Sequence, residues 1–319
     1  MCFSARVEQD LRKLAKRFKA EVSWEKFAET FDRRTAGEDV KLCRDLERNF
    51  LHPESPVEQR TRDAIESYRK ALATRWETEV FAQRRRLVDA EESLQSKETK
   101  RAREDVRIAT KKIQTLLDRL ADLRRTEPGE DDGRIFPMTY APVLVQHRGR
   151  TIITPMRYTC RLAGKPANYD QRFPGTYNAR RDNLSGFWNE VYGRHHAVMV
   201  INGFFENVPR HLYEHRDLRP GEEPQNLVLQ FSPNPSIEML VACVWDRWTG
   251  PDAPALNSFA AVTDEPPEEI AATGHQRCVV ALREANLDEW LSPSGVSRDR
   301  LEMILSDKER PYYEHRLAA

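Results

Sequence analysis

Between Val57 and Glu127 the sequence contains neither glycine nor proline, so nothing in that stretch interrupts a helix. Paired cysteines are also missing. Cys2, Cys43, Cys160, Cys243 and Cys278 are scattered and odd in number, with no CxxC spacing. This argues against a disulfide framework and a structural zinc site, and it fits a reducing cytoplasm. No apolar run approaches the ~20 residues of a membrane span. The N-terminus lacks the basic-then-apolar order of a secretory signal. Net charge is absent as well: 51 Lys and Arg balance 51 Asp and Glu, so any nucleic-acid site must be a local patch. The expectation is a soluble cytoplasmic protein with no metal, no cofactor and no membrane contact.

What is present divides the chain in two. Hydrophobic residues make up 39% and charged residues 32%, as in a globular core carrying a polar helical extension. Residues 7–50 read as short helices broken by Gly37, one of them spanning 8–20. In the stretch 57–127, Ile65, Tyr68, Leu72, Trp76, Val80 and Leu87 make one apolar stripe. Val106, Ile113, Leu116, Leu120 and Leu123 make a second. A single helix of that length would project ~100 Å at ~1.5 Å per residue. Two antiparallel helices burying their stripes together, with a bend near 95–99, are the easier solution. The basic groups 84–86 and 97–103 read as solvated faces rather than phosphate contacts.

Beyond the Pro-, Gly- and acid-rich break at 127–133 the pattern turns to short β runs. A hairpin is expected at 143–146 and 151–154 around Arg148-Gly149. Further strands are expected at 196–201, 227–231, 239–244, 258–263 and 278–282, with short helices at 268–272, 287–291 and 298–305. The fold class is α+β: a mostly antiparallel, barrel-like β core with a long charged helical hairpin inserted. The domain division is 1–6 plus 130–319 for the core, and 7–129 for the insertion with its hairpin at 57–127.

Removal of Met1 would leave Cys2 with a free α-amine beside its thiol. With reference pKa values near ~8 and ~8.5, both groups are usable nucleophiles near neutral pH. Together they can trap an aldehyde, first as an imine and then as a five-membered thiazolidine. Three later stretches place polar residues where strands meet turns. In Thr176-Tyr177-Asn178-Ala179-Arg180-Arg181, Asn178 offers a donor and an acceptor, and Arg180 a planar fork for a phosphate. In Asn202-Gly203-Phe204-Phe205-Glu206, the aromatics could bury the carboxyl and raise its pKa. In Thr273-Gly274-His275-Gln276-Arg277, a histidine and an arginine follow a glycine.

Taken together, Met1-Cys2, Asn178-Ala179-Arg180, Gly203-Phe204-Phe205-Glu206 and His275-Gln276-Arg277 resemble the SOS-response-associated peptidase (SRAP) family, whose motifs occur in that order. Tyr140-Ala141-Pro142 and Met156-Arg157-Tyr158 are similar to two further segments of its pattern. The resemblance covers 1–6 and about 135–305. Phe3-Ser4 stand where the family has Gly-Arg, Asn207 where it has Trp, and Cys278-Val279 where it has Met-Pro.

The resemblance implies covalent capture of abasic sites in single-stranded DNA in the DNA-damage response. Cys2 would form the imine and thiazolidine, Asn178 would orient the N-terminus, Glu206 would shuttle protons and His275 would assist ring opening. Arg180, Arg181 and Arg277 would hold phosphates, with strand cleavage as a possible side activity. Two alternatives stay open: an N-terminal-nucleophile cysteine peptidase, and an inactive interaction protein. In either case the helical insertion could bind an unknown partner or self-associate.

Overall fold

The computed structural model describes residues 3–251 and 253–318. It is α+β, built on one large curled sheet. The chain enters through β1 (Ser4–Val7), α1 (Leu11–Phe18), β2 (Glu21–Val22), α2 (Trp24–Thr35), β3 (Lys41–Leu42) and α3 (Arg44–Arg48). Two long helices follow, α4 (Pro56–Ser96) and α5 (Lys100–Arg124). The sheet resumes with β4 (Arg134–Ile135), β5 (Thr139–His147), β6 (Arg150–Tyr158), the short α6 (Tyr169–Arg172), β7 (Asn178–Arg180) and β8 (His196–Pro209). Next come α7 (Arg210–Tyr213), β9 (Asn226–Asn234), β10 (Met239–Gly250), β11 (Ala253–Asp264) and α8 (Glu268–Ala271). The chain ends with β12 (Cys278–Val279), β13 (Ala281–Leu282), α9 (Leu287–Leu291), α10 (Arg298–Ser306) and β14 (Tyr312–Leu317).

Strand β8 is the centre of the sheet. It pairs antiparallel with β1, β5, β9 and β10. Strand β10 pairs antiparallel with β11, β11 runs parallel to β6, and β6 returns antiparallel to β5. The pairings therefore lead from β8 round to β8 again, as a partial ring. Val198 and Val200 of β8 face one apolar cluster; Ala197, Met199 and Ile201 face another. This is the period-2 alternation of a strand covered on both sides. It explains why HAVMVI reads as a continuous apolar run.

The two long helices start and stop for local reasons. Ser55 caps α4 by accepting from the Glu58 N–H, with Pro56 in the first turn, where its missing N–H costs nothing. Thr99 caps α5 by accepting from the Ala102 N–H at 3.1 Å. The break falls at residues 97–99, inside the expected bend. Val80, Leu116 and Leu120 pack together with Ala73 and Trp76 between the helices. Arg86–Asp105 and Arg124–Glu77 pair across them, and Arg103 pairs with Glu98 near the tip. Of the two basic groups, Arg86, Arg101 and Arg103 are thus engaged with the hairpin's own carboxylates.

The shorter helices before the hairpin belong to the sheet's core. Leu11, Leu14, Phe27, Phe31, Leu46 and Phe50 share one apolar cluster with Leu144, Ile153, Val198 and Val200, and Ile65 at the root of α4 joins it. Strands β2 and β3 add parallel pairs to β6 and β5. Cys43, Cys160, Cys243 and Cys278 are free thiols, all buried. No described helix is long and apolar enough to cross a membrane.

Candidate functional site

The site forms where the N-terminal strand meets the far end of β8. Ser4 and Ala5 register against Phe205 and Phe204, which places Phe3 beside Glu206. The Phe3 N–H donates to Glu206 Oε2 at 3.4 Å. His275 Nε2 stands 3.4 Å from the same oxygen. Glu206 is 1% exposed and His275 only 11% exposed. Burial pushes the Glu206 carboxyl above its ordinary pKa, and the contact with His275, then the Phe3 N–H, pull it partly back.

Two glycines make this convergence possible. A Cβ on Gly203 would lie 2.9 Å from the Phe231 carbonyl oxygen, so only glycine lets β9 approach β8 just before Glu206. Gly274 has φ +88°, and a Cβ there would meet the Leu212 Cβ at 2.7 Å. A side chain at Gly274 would therefore displace the turn that presents His275.

Asn178 comes from β7, which runs parallel to β11 with Asn178 opposite Ala261 and Arg180 opposite Thr263. Its side chain is 7% exposed, and Asn178 Oδ1 accepts from the Thr263 hydroxyl at 2.5 Å. Thr263 in turn registers with Val279 of β12, and Asp264 with Cys278. Burial, first, pushes the Cys278 thiol up to about 12, and the Glu206 charge adds to that rise. The strands β7, β11 and β12 thus link Asn178 to the surroundings of Glu206.

The arginines divide into two kinds. Arg180 and Arg277 share one carboxylate: Arg180 Nη2 lies 2.5 Å and Arg277 Nη2 3.3 Å from Asp182 Oδ2. Arg181 turns to other partners, donating to Asp264 at 3.0 Å, Glu302 at 3.1 Å and the Ser306 hydroxyl at 2.6 Å. It ties β7 to α10. Cys2 lies outside the described residues, so its place relative to this group is known only from its bond to Phe3 in the sequence.

Three neighbours of the site carry no signal in the motifs. Asp182, which holds two arginines at once, reads in the sequence as one more surface carboxylate. Arg134 and Phe136 lie beside Phe3 and Phe205. The alternation Arg134-Ile135-Phe136, with Ile135 buried, could have indicated that the flanking pair shares a face. Among the described residues, no group of three or more His, Cys, Asp or Glu is placed to hold a metal ion.

This is an α+β protein with a buried carboxylate and a histidine gathered at the start of its sheet. The chain belongs to the SOS response associated peptidase (SRAP) family, whose model matches residues 101–317. That span takes in Asn178, Glu206 and His275 but begins after Cys2. Membership associates the chain with the DNA-damage response.

Three solved structures are similar in part. One, of a protein from Bacteroides thetaiotaomicron, is 14% identical with a TM-score of 0.47, over 59% of this chain and 78% of that one. A protein from Bordetella bronchiseptica is 14% identical with a TM-score of 0.45, over 63% and 95%. A phage-related protein from Bordetella bronchiseptica is 16% identical with a TM-score of 0.44, over 58% and 81%. No curated protein matches the sequence.

Proposed function

We propose that this protein captures ring-opened abasic sites in single-stranded DNA by covalent bonding to Cys2. The observation that supports this most is the buried Glu206 with its Oε2 facing both His275 Nε2 and the Phe3 N–H, each at 3.4 Å. Phe3 is bonded to Cys2, so a proton-transfer pair stands within a residue of the two nucleophiles.

In this reading the α-amine of Cys2 adds to the sugar aldehyde, giving a carbinolamine. The carbinolamine loses water to become an imine, which needs one proton delivered to the departing oxygen and one removed from nitrogen. The thiol sulfur then attacks the imine carbon while its proton passes to nitrogen, closing the thiazolidine. The net change is the loss of one water. Glu206, with its pKa raised by burial, would supply the proton to the departing oxygen. His275 can take up and return protons beside it. Asn178, fixed by Thr263, would orient the N-terminus. Arg180 and Arg277 would exchange their shared carboxylate for DNA phosphates, whereas Arg181 is committed to Asp264 and Glu302.

The test is mass spectrometry after incubation with an abasic oligonucleotide. The expected product is a stable adduct on the peptide that begins at Cys2, lost when an uncleaved tag converts the amine to an amide. No adduct, or an adduct that survives the tag, overturns the amine mechanism. Amide-bond cleavage by Cys2 with no DNA adduct would mark a peptidase instead.

A further inference from the structure

Beside Phe3, on the other side from Glu206, the short strand β4 pairs with β1, setting Arg134 opposite Arg6 and Ile135 opposite Ala5. Arg134 and Phe136 leave this strand on the face opposite Ile135, toward the aromatic residues of the N-terminal edge. Arg134 Nε donates to Ser4 Oγ at 3.0 Å. Its guanidinium lies 3.6 Å from the Phe205 ring centre and 4.8 Å from that of Phe136. Phe3 meets Phe136 edge-on at 5.8 Å.

This arrangement is poorly explained as packing alone. The Arg134 side chain is only 10% exposed, yet among the described residues its ion partner is one half-exposed carboxylate, Asp131, at the long distance of 3.5 Å. Burial, first, and the nearby Arg6 both disfavour its charge, and Asp131 only partly offsets them. Arg6 and Arg316 converge on the same edge, against Glu130 and Asp131. Among the described residues three guanidiniums face two carboxylates there, an excess of positive charge. Phe136, meanwhile, is 41% exposed although it directly follows a strand beside the site. An open aromatic face next to an under-neutralised guanidinium matches a nucleotide, which carries a flat base and an anionic phosphate. Only an unpaired strand can lay a base on such a ring.

We propose that Arg134 and Phe136 form a ledge that holds one unpaired nucleotide of single-stranded DNA next to the residue captured at the N-terminus. Arg134 takes the phosphate and the open face of Phe136 takes the base. Ser4 and Phe205 fix the guanidinium in place. The inference rests on the single-strand partner named in the proposed function and extends it to residues outside the motifs.

The experiment measures binding of a short, undamaged fluorescein-labelled oligothymidine by anisotropy across a range of KCl concentrations. No aldehyde is present, so binding is read apart from capture. Arg134→Gln should weaken binding on the order of tenfold, toward the lower end for a charge-assisted contact. It should also reduce the salt slope by ~0.7, the share of one phosphate on a single strand. Arg134→Lys should keep the slope. Phe136→Ala should weaken binding by about 5- to 150-fold, the range of one base–aromatic stack, with the slope unchanged.

A purely structural role for either residue would not separate affinity from slope in this way. The exposure of Phe136 makes its variant safe to fold, so that arm stands even if Arg134→Gln does not. If wild type forms the Cys2 adduct with abasic DNA while Arg134→Gln and Phe136→Ala bind the undamaged strand as tightly as wild type, the ledge is refuted and capture stands. If the variants behave as stated but no adduct forms, the ledge stands and capture falls. A wild type that does not bind the oligothymidine refutes the ledge outright.

Discussion

Glu206→Gln is the substitution that asks most of the site. Gln has nearly the same shape and can still bond the Phe3 N–H and His275, so the change removes titration more than structure. Glu206 is 1% exposed and its pKa is raised by burial. An unfolded Glu titrates near ~4.3. A carboxyl raised in the folded state adds stability that is fully present below ~4.3 and is lost as pH rises through its folded pKa. Each unit of elevation is worth ~1.4 kcal/mol. Wild type should therefore lose stability across that window while Glu206→Gln does not, so their melting curves diverge as pH increases. Above the window the Gln variant should be the more stable, because it leaves no charge buried. Capture should fall by ~10²-fold or more in the same variant, the scale of a lost general acid–base group. Adduct formation on denaturing gels and thermal melts at pH 4 to 8 read the two effects side by side. Equal capture rates would reduce Glu206 to a structural carboxylate. A stability difference that does not change with pH would refute the raised pKa itself.

Asp182→Asn should release both Arg180 and Arg277 for phosphate, giving severalfold tighter binding of undamaged single-stranded DNA with a steeper salt slope; unchanged anisotropy titrations would show that these arginines do not meet DNA. Phe27→Ala, at a fully buried position in the cluster shared with the sheet, should cost ~3–5 kcal/mol in urea unfolding. A cost near zero would mean that α2 is not part of the core. Replacing 83–112 with a short Gly-Ser turn keeps Val80, Leu116 and Leu120 and should leave a folded protein that still forms the adduct; a folded but inert product would tie the hairpin tip to the reaction.

Where the sequence was informative, the cause was a strong local pattern. The absence of Gly and Pro from 57 to 127, with two apolar stripes, was enough to read a hairpin whose break falls at 97–99. Strand β8 was legible because both of its faces are covered, which leaves an unbroken apolar run. The two-residue strands β2, β3 and β4 were not, since pairs that short carry no periodicity of their own. The place of α1–α3 was hidden for a different reason. Their amphipathic pattern says that one face is covered but not by what, and Phe27 and Phe31 would look alike against a neighbouring helix or against the sheet. At the site, motif order singled out Asn178, Glu206 and His275, yet the contact between Glu206 and Phe3 depends on the register of β1 on β8. Arg134 shows the same limit, because a guanidinium stacked on Phe205 from another strand leaves no mark at position 205.

That register explains why a carboxylate in this position could serve an N-terminal nucleophile. A chain terminus is ordinarily the least ordered part of a protein, and catalysis requires reacting atoms held within fractions of an ångström. Here β1 is clamped on two sides, by β8 through Ser4 to Val7 and by β4 through Ala5 and Arg6. The Arg134–Ser4 hydrogen bond adds a side-chain tie at the first residue of the strand. The order this imposes reaches Phe3, whose N–H meets Glu206. In the proposed mechanism a strand held in this way would set the direction from which the residue before Phe3 approaches the aldehyde. Weakening the clamp should therefore slow ring closure more than imine formation. The reason is that the second step needs sulfur, carbon and nitrogen in a single geometry, whereas the first needs only an encounter between the amine and the aldehyde.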